Sequence, residues 1–251
     1  MNILIANDDG IQAEGIRRLA KALSEKGDVY VVAPDRQRSA SSHALSLHDP
    51  LHMVEVEDFD EAKRAWKISG TPADCVKLGV DVLRRKGIEI DVVYSGINHG
   101  ANLGTDTMYS GTVSSAAEGV FLGLPAVAVS VCDHYPDYFE GACSLAVKVF
   151  EHALETKGQG RLISVNAPNL PLAELRGVKV AKLGEVKYHD WFDELEEDTY
   201  SYAGAPIVEA DLPADVDVRL IREGYATVSI IKYDLNDYEG LAAAAAWDLQ
   251  L

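Results

Sequence analysis

Asn7-Asp8-Asp9-Gly10 sets two adjacent carboxylates and a glycine directly behind the apolar run Asn2-Ile3-Leu4-Ile5-Ala6. Such a run reads as a buried strand, and in an open α/β sheet the carboxyl ends of strands border the crevice where ligands bind. Two acids there point to a bound cation, and the cation in turn to a phosphate. Adjacent strand positions face opposite ways, so Asp8 and Asp9 converge only if the chain has already left the strand. Gly10 permits that tight turn. A plain Asn/Asp/Gly turn uses the same residue types, and the four residues alone do not separate the two readings.

Three later clusters offer partners. Ser39-Ala40-Ser41-Ser42-His43 sets hydroxyls beside Arg36 and Arg38, which suits a metal ligand or phosphate contacts, and equally a solvated serine loop. Ser95-Gly96-Ile97-Asn98-His99-Gly100-Ala101-Asn102-Leu103-Gly104 follows the strand-like Val92-Val93-Tyr94 and reaches the same crevice. Its glycines imply a backbone held close to a ligand, and an asparagine carbonyl is a reasonable oxygen ligand for a hard divalent ion. Tyr109-Ser110-Gly111-Thr112 opens a helix whose free amides and dipole make an anion site, unless it is an ordinary cap. Glu118 on that helix reads as a structural hydrogen-bonding acid. Neither GxxxxGK[ST] nor GxGxxG spacing occurs, which disfavours a P-loop machine and a hydride-transfer enzyme.

The elements that must position these groups alternate over the first 170 or so residues. Strands are expected at 2–6, 28–33, 91–94, 126–131 and 162–165, and helices at about 13–26, 73–83, 112–122 and 139–154. Strands separated by helices of this length predict an α/β fold, a three-layer sandwich with a mostly parallel sheet covered on both faces. Beyond about residue 170, strands at 178–183, 186–188, 216–221 and 227–231 are expected without intervening helices, followed by a helix over 241–251. The expected division is a metal- and phosphate-binding body, 1–170, and a β-hairpin extension with terminal helix, 171–251, that helix packing either on its own body or on a neighbour's.

The chain has 251 residues, is 47% hydrophobic and 25% charged, and carries a formal charge of −17. That charge repels nucleic-acid polymers and anionic membranes, and a small phosphorylated substrate needs local compensation wherever it binds. Cys75, Cys132 and Cys143 share no close spacing and read as buried, reduced thiols. No stretch reaches the ~20 apolar residues of a membrane span, and no basic-then-apolar leader precedes the acids; a cytoplasmic protein is expected.

The chain resembles the survival protein SurE family of 5′/3′-nucleotidases in five ordered segments. These are NILIANDDG, APDRQRSASS (33–42), SGTPADCV (69–76), SGINHGANLG (95–104) and YSGTVSSAAEG (109–119). The resemblance implies a Rossmann-like three-layer sandwich whose extension, 171–251, serves oligomerisation, and one divalent metal, Mg²⁺ or Mn²⁺ with Co²⁺ as a further option, held by Asp8, Asp9, Ser39 and Asn98. It implies phosphate or substrate contacts at Ser42, His43, Asn102, Gly104, Ser110, Gly111 and Thr112. It further implies release of phosphate from nucleoside 5′- and 3′-monophosphates with Asp8 and Asp9 as catalytic acids, some trimming of short polyphosphate, and a homodimer or homotetramer. An aspartyl-phosphate route is disfavoured because the first loop lacks a DxD arrangement. A non-enzymatic nucleotide sensor is the rival from another class.

Overall fold

The first strand, β1 (Asn2–Ala6), explains the layering. From Ile3 onward it is fully buried, with Ile3 and Ile5 in one apolar cluster and Leu4 and Ala6 in another. A strand that buries both faces lies in the middle of a covered sheet. The computed structural model describes residues 1–207 and 211–247. In chain order β1 is followed by α1 (Glu14–Leu23), β2 (Asp28–Pro34), β3 (Met53–Val56), β4 (Arg64–Ile68), α2 (Pro72–Arg85), β5 (Val92–His99), α3 (Gly111–Phe121), β6 (Ala126–Val131), α4 (Glu140–Lys148), α5 (Phe150–Glu155) and β7 (Arg161–Ala167).

Helices α1, α4 and α5 cover the Ile3/Ile5 face, through Leu19, Leu145 and Phe150 among others. Helices α2 and α3 cover the opposite face, through Val76, Leu83, Val113 and Ala117. The α2 start is fixed by a capping box: Thr71 accepts the Asp74 N–H while Asp74 accepts the Thr71 N–H. Both clusters thread through the same strands, so the expected three-layer α/β sandwich is the observed one.

The remaining elements are β8 (Val178–Val180), β9 (Tyr188–His189), β10 (Phe192–Glu196), β11 (Thr199–Tyr202), β12 (Ala205–Pro206), α6 (Asp217–Arg222), β13 (Ala226–Lys232) and α7 (Tyr238–Ala244). The main sheet runs β3-β4-β2-β1-β5-β6-β7-β13-β8. From β4 through β7 all neighbours are parallel, whereas β3 and β13 join antiparallel to β4 and β7. The strand order reverses at β1, which lies between β2 and β5. The crevice of such a sheet opens at that switch point.

Several expectations are corrected. Residues 216–221 do not form a strand: 217–222 is the helix α6. Its apolar run is too short for periodicity to separate the two conformations, and Asp217 decides for the helix. Its buried carboxylate accepts N–H bonds from Val218, Gly184 and Gly104, each 2.8 Å long, and an acid in the first turn suits the helix dipole. The helix expected over 139–154 is two, α4 and α5, meeting at Val149. Strand β4 arises where the valine- and isoleucine-rich criterion sees nothing, because Arg64 and Lys67 flank buried Ala65 and Trp66, and the short β3, with Val54 and Glu55 exposed, pairs along its edge. Strand β5 extends to His99, through the glycine run.

The hairpin β10–β11 forms the expected extension, but β13 returns to the main sheet beside β7. Of the terminal helix expected over 241–251, α7 covers the beginning, and 248–251 lie outside the described residues. All three cysteines are free; Cys75 is buried, and Cys132 and Cys143 are partly so. Among the described residues no helix is long and apolar enough to cross a membrane.

Asp217 ties the hairpin region to the loop before α3. Asp217→Ala leaves buried N–H groups unsatisfied and is expected to lower stability by about 2–4 kcal/mol, read as a lower urea midpoint at unchanged slope.

Candidate functional site

The turn after β1 is built by Asn7, fully buried, whose Nδ2 donates to the Gly10 carbonyl at 2.9 Å and whose Oδ1 accepts the Gly10 N–H at 3.1 Å. Gly10 has φ +94°, a left-handed conformation that a side chain would strain. This clamp carries the chain out of the strand between the two acids and the loop after β2. The Asp8 carbonyl accepts the Arg38 N–H at 2.7 Å.

Asp8 is 5% exposed, and its Oδ1 accepts from Thr112 Oγ1 at 2.6 Å. Gly111, the first residue of α3, lies so near that a Cβ on it would stand 2.9 Å from Asp8 Oδ2 and 3.0 Å from Ser41 Oγ. The absence of that side chain is what admits the helix N-terminus to the acid. Asp9 Oδ2 accepts the His99 N–H at 3.0 Å, and its Oδ1 accepts from Gln37 Nε2 at 3.3 Å. Gln37 Nε2 also donates to Ser39 Oγ at 2.9 Å, linking Asp9 to Ser39. Asn98 turns its Nδ2 to the Gly100 carbonyl at 2.9 Å, which keeps Oδ1 as an acceptor. The ends of β1, β2 and β5 thereby converge around the expected ligand set.

The expected substrate contacts divide. Ser110 caps α3 by accepting the Val113 N–H, and with Gly111 and Thr112 it stands beside Asp8. Ser42 bridges to the loop before α3, its Oγ donating to the Met108 carbonyl and its N–H to the Tyr109 carbonyl. His43 turns to α3, where its Nε2 meets Glu118 Oε2 at 2.9 Å and its ring stacks on Phe121. Glu118, 2% exposed, also takes Lys77 Nζ at 2.5 Å. These partners, His43 foremost, hold its carboxyl below the usual range, in keeping with a structural acid. Asn102 exchanges hydrogen bonds with Asn166 and donates to Ser130 Oγ. Gly104 donates its N–H to Asp217, and a Cβ there would meet the Gly184 carbonyl oxygen. Asn102 and Gly104 thus hold the loop that leads into α3.

Burial first, and the neighbouring Asp9 charge second, push the Asp8 carboxyl up to about 6. Burial also raises Asp9. Two acids held against water at that cost suit a cation. The donors are all oxygens, two carboxylates supplemented by a hydroxyl and an amide, which is the chemistry of a hard divalent ion. Ser41 Oγ is buried without a hydrogen-bond partner beside Asp8. Among the described residues no group of three or more His, Cys, Asp or Glu could hold a metal, so an ion here depends on the neutral oxygens. On these donors, the residues fit a divalent cation.

Beyond Asp9 opens a cavity of about 430 Å³ lined by Asp9, Ala13, Gln37, His99, His134 and Tyr135. Sequence reasoning passes over Gln37, His99, His134 and Tyr135. The signal available for His134 and Tyr135 is position: they follow β6, whose carboxyl end faces the same crevice. A second cavity, about 290 Å³, lies along α2 under Leu45, Leu47 and Leu51 and includes none of the acids at the end of β1.

The family model for Survival protein SurE matches residues 3–190. The chain is 43% identical over 256 residues to a 5′-nucleotidase SurE of Synechococcus sp. (strain JA-3-3Ab), covering 99% of this chain and 98% of that protein. It is 44% identical over 258 residues to a 5′-nucleotidase SurE of Gloeobacter violaceus, covering 99% and 97%. The crystal structure of a SurE protein from Aquifex aeolicus superposes with TM-score 0.82 at 33% identity, over 97% of this chain and 98% of that one.

Because the folded protein holds the Asp8 proton to about pH 6, against about 3.9 for an unfolded aspartate, stability falls as pH rises through that window. The loss is complete above it and amounts to about 3 kcal/mol at most. Asp8→Asn is therefore expected to stabilise the cation-free protein by about 1–3 kcal/mol at pH 7.5 and to flatten its dependence between pH 4 and 6. Urea denaturation in chelator across that range checks it, and a variant no more stable than the parent would contradict the assignment.

Proposed function

This chain belongs to the SurE family, and on that footing we propose that it is a divalent-metal-dependent phosphomonoesterase that releases phosphate from nucleoside 5′-monophosphates and also from 3′-monophosphates. The observation that carries the reading is the juxtaposition of a buried acid, Asp8, and its half-buried neighbour Asp9 with a helix N-terminus, at the point where the strand order reverses. The names of the relatives support the nucleotide class.

Asp8, Asp9, Ser39 and Asn98 would hold one Mg²⁺ or Mn²⁺, with Co²⁺ as a workable substitute. Bound there, such an ion supplies Lewis acidity toward a phosphoryl oxygen and lowers the pKa of a coordinated water. The chain's own groups do the rest. The free amides at the start of α3, around Gly111 and Thr112, receive phosphoryl oxygens and stabilise their charge. Thr112 fixes the Asp8 carboxylate through its hydroxyl, and the His99 N–H fixes that of Asp9. Asp8 is the acid we assign to orienting the attacking water. With a net charge of −17 the protein repels anions at long range, so cation and helix amides together offset that field at the site. The terminal group of a short polyphosphate presents the same oxygens and is a side substrate.

We place the protein in the cytoplasm, with residues 1–170 as the catalytic body and 171–251 as the oligomerisation region of a homodimer or homotetramer. The exposed Phe192, Leu195 and Tyr200 of the hairpin support that use of the region.

Asp9→Asn is expected to lower metal-dependent release of phosphate from AMP by about 100-fold or more while circular dichroism stays that of the parent. The assay runs over Mg²⁺, Mn²⁺, Co²⁺ and Zn²⁺ with a panel of phosphomonoesters and polyphosphates; full activity in the variant removes the metal site from the proposal.

A further inference from the structure

We infer that the cavity beyond Asp9 is the nucleoside subsite, with Tyr135 as the platform on which the base stacks and His134 and Gln37 as the polar walls facing the ribose. The inference rests on the nucleotidase reading and adds the specificity-determining residues.

The acid pair is open on the Asp9 side. Around Asp8, α3 closes in until Gly111 leaves no room for a Cβ, and the neighbouring polar groups suit phosphoryl oxygens. The large cavity borders Asp9 and does not include Asp8. A phosphoryl group held between the acids and α3 therefore has this space for its leaving group. Its volume, about 430 Å³, falls in the range of small-molecule sites.

The lining of this space is polar and aromatic. Beside Asp9 it consists of an amide, two imidazoles, a small Ala13 and a tyrosine, with no lysine or arginine. A continuing polyphosphate chain would need cations along its length. An uncharged, hydroxyl-rich sugar and an aromatic base need hydrogen-bonding groups and a π-surface, which is what the cavity has. The His134 ring packs over Gly100, where a Cβ would come within 3.3 Å of both Cε1 and Nδ1.

Tyr135 lines the cavity on its exposed side. Its side chain is 89% exposed at the rim of a polar cavity, and yet its turn is firmly held. The Tyr135 N–H bonds Asp133 Oδ1 at 2.9 Å, and Asn169 Nδ2 holds Asp133 Oδ2 at 3.0 Å. Asn169 Oδ1 also accepts the N–H groups of Asp137 and Tyr138, each at 3.0 Å. An aromatic ring presented to water on a pinned backbone loses little freedom when a flat ligand stacks on it.

The test measures kcat and KM for AMP and for ribose 5-phosphate, which keeps the phosphoribosyl group and lacks the base. Base stacking is worth about tenfold or more, so Tyr135→Ala is expected to cut the AMP/ribose 5-phosphate ratio of kcat/KM about tenfold, mainly through KM for AMP. Tyr135→Phe, which keeps the π-face, restores the ratio. His134→Ala is expected to raise KM for both substrates while leaving their ratio near that of the parent. Adenosine, as a competitive inhibitor, weakens about tenfold against the Tyr135→Ala variant. An unchanged AMP/ribose 5-phosphate ratio in Tyr135→Ala, with the parent active on AMP, overturns the subsite and leaves the nucleotidase reading standing. A parent that hydrolyses p-nitrophenyl phosphate and not AMP overturns both.

Discussion

Two carboxylates on consecutive residues, Asp8 buried and Asp9 half-buried, stand at the end of the central strand, and much of the molecule is arranged around keeping them there. Ionising a buried carboxylate is costly, and a second one beside it compounds the cost. The cost shows as an Asp8 that holds its proton up to about pH 6. Around the pair stand groups that only donate or accept in fixed directions: the Thr112 hydroxyl, the His99 amide, the Gln37 side chain. None of these carries a positive charge. A cation there, as proposed, would offset that cost, which is the stability–function tension expected of a preorganised binding site.

Legibility from sequence follows burial pattern. Strands β1, β2 and β6 stand out because parallel strands covered on both faces read as unbroken apolar runs. The acids are readable because Asp8-Asp9 interrupts such a run abruptly. Strand β5 reads too short because Gly96 and Asn98 look like loop residues; in the structure its pairing with β6 shifts register between Ser95 and Asn98 and then resumes. Gly96 is required there, since a Cβ would meet the Val129 carbonyl. Hence one segment is both strand and the loop that brings His99 to Asp9, which no local propensity expresses.

The parts that stay hidden are those whose meaning comes from partners distant in sequence. Asp217 looks like an acid inside a short β-like run, but its role is set by Gly104, 113 residues away. His43 looks like a substrate contact and is bound to Glu118, 75 residues on. His134 and Tyr135 carry no motif of their own. Only the strand order, with β6 next to β5, brings them to the edge of the site.

The region between β8 and β13 has both ends anchored in neighbouring strands of the main sheet, so it is an inserted arm and not a trailing appendage. Within it, Val186 and Tyr188 grip Thr105 and Asp106 through side-chain hydrogen bonds, and Asp217 grips Gly104. Those three consecutive residues lead directly into Ser110 and α3. The arm therefore rests on the turn that leads into α3, so the placing of the amides beside Asp8 depends on residues more than eighty positions further along the chain.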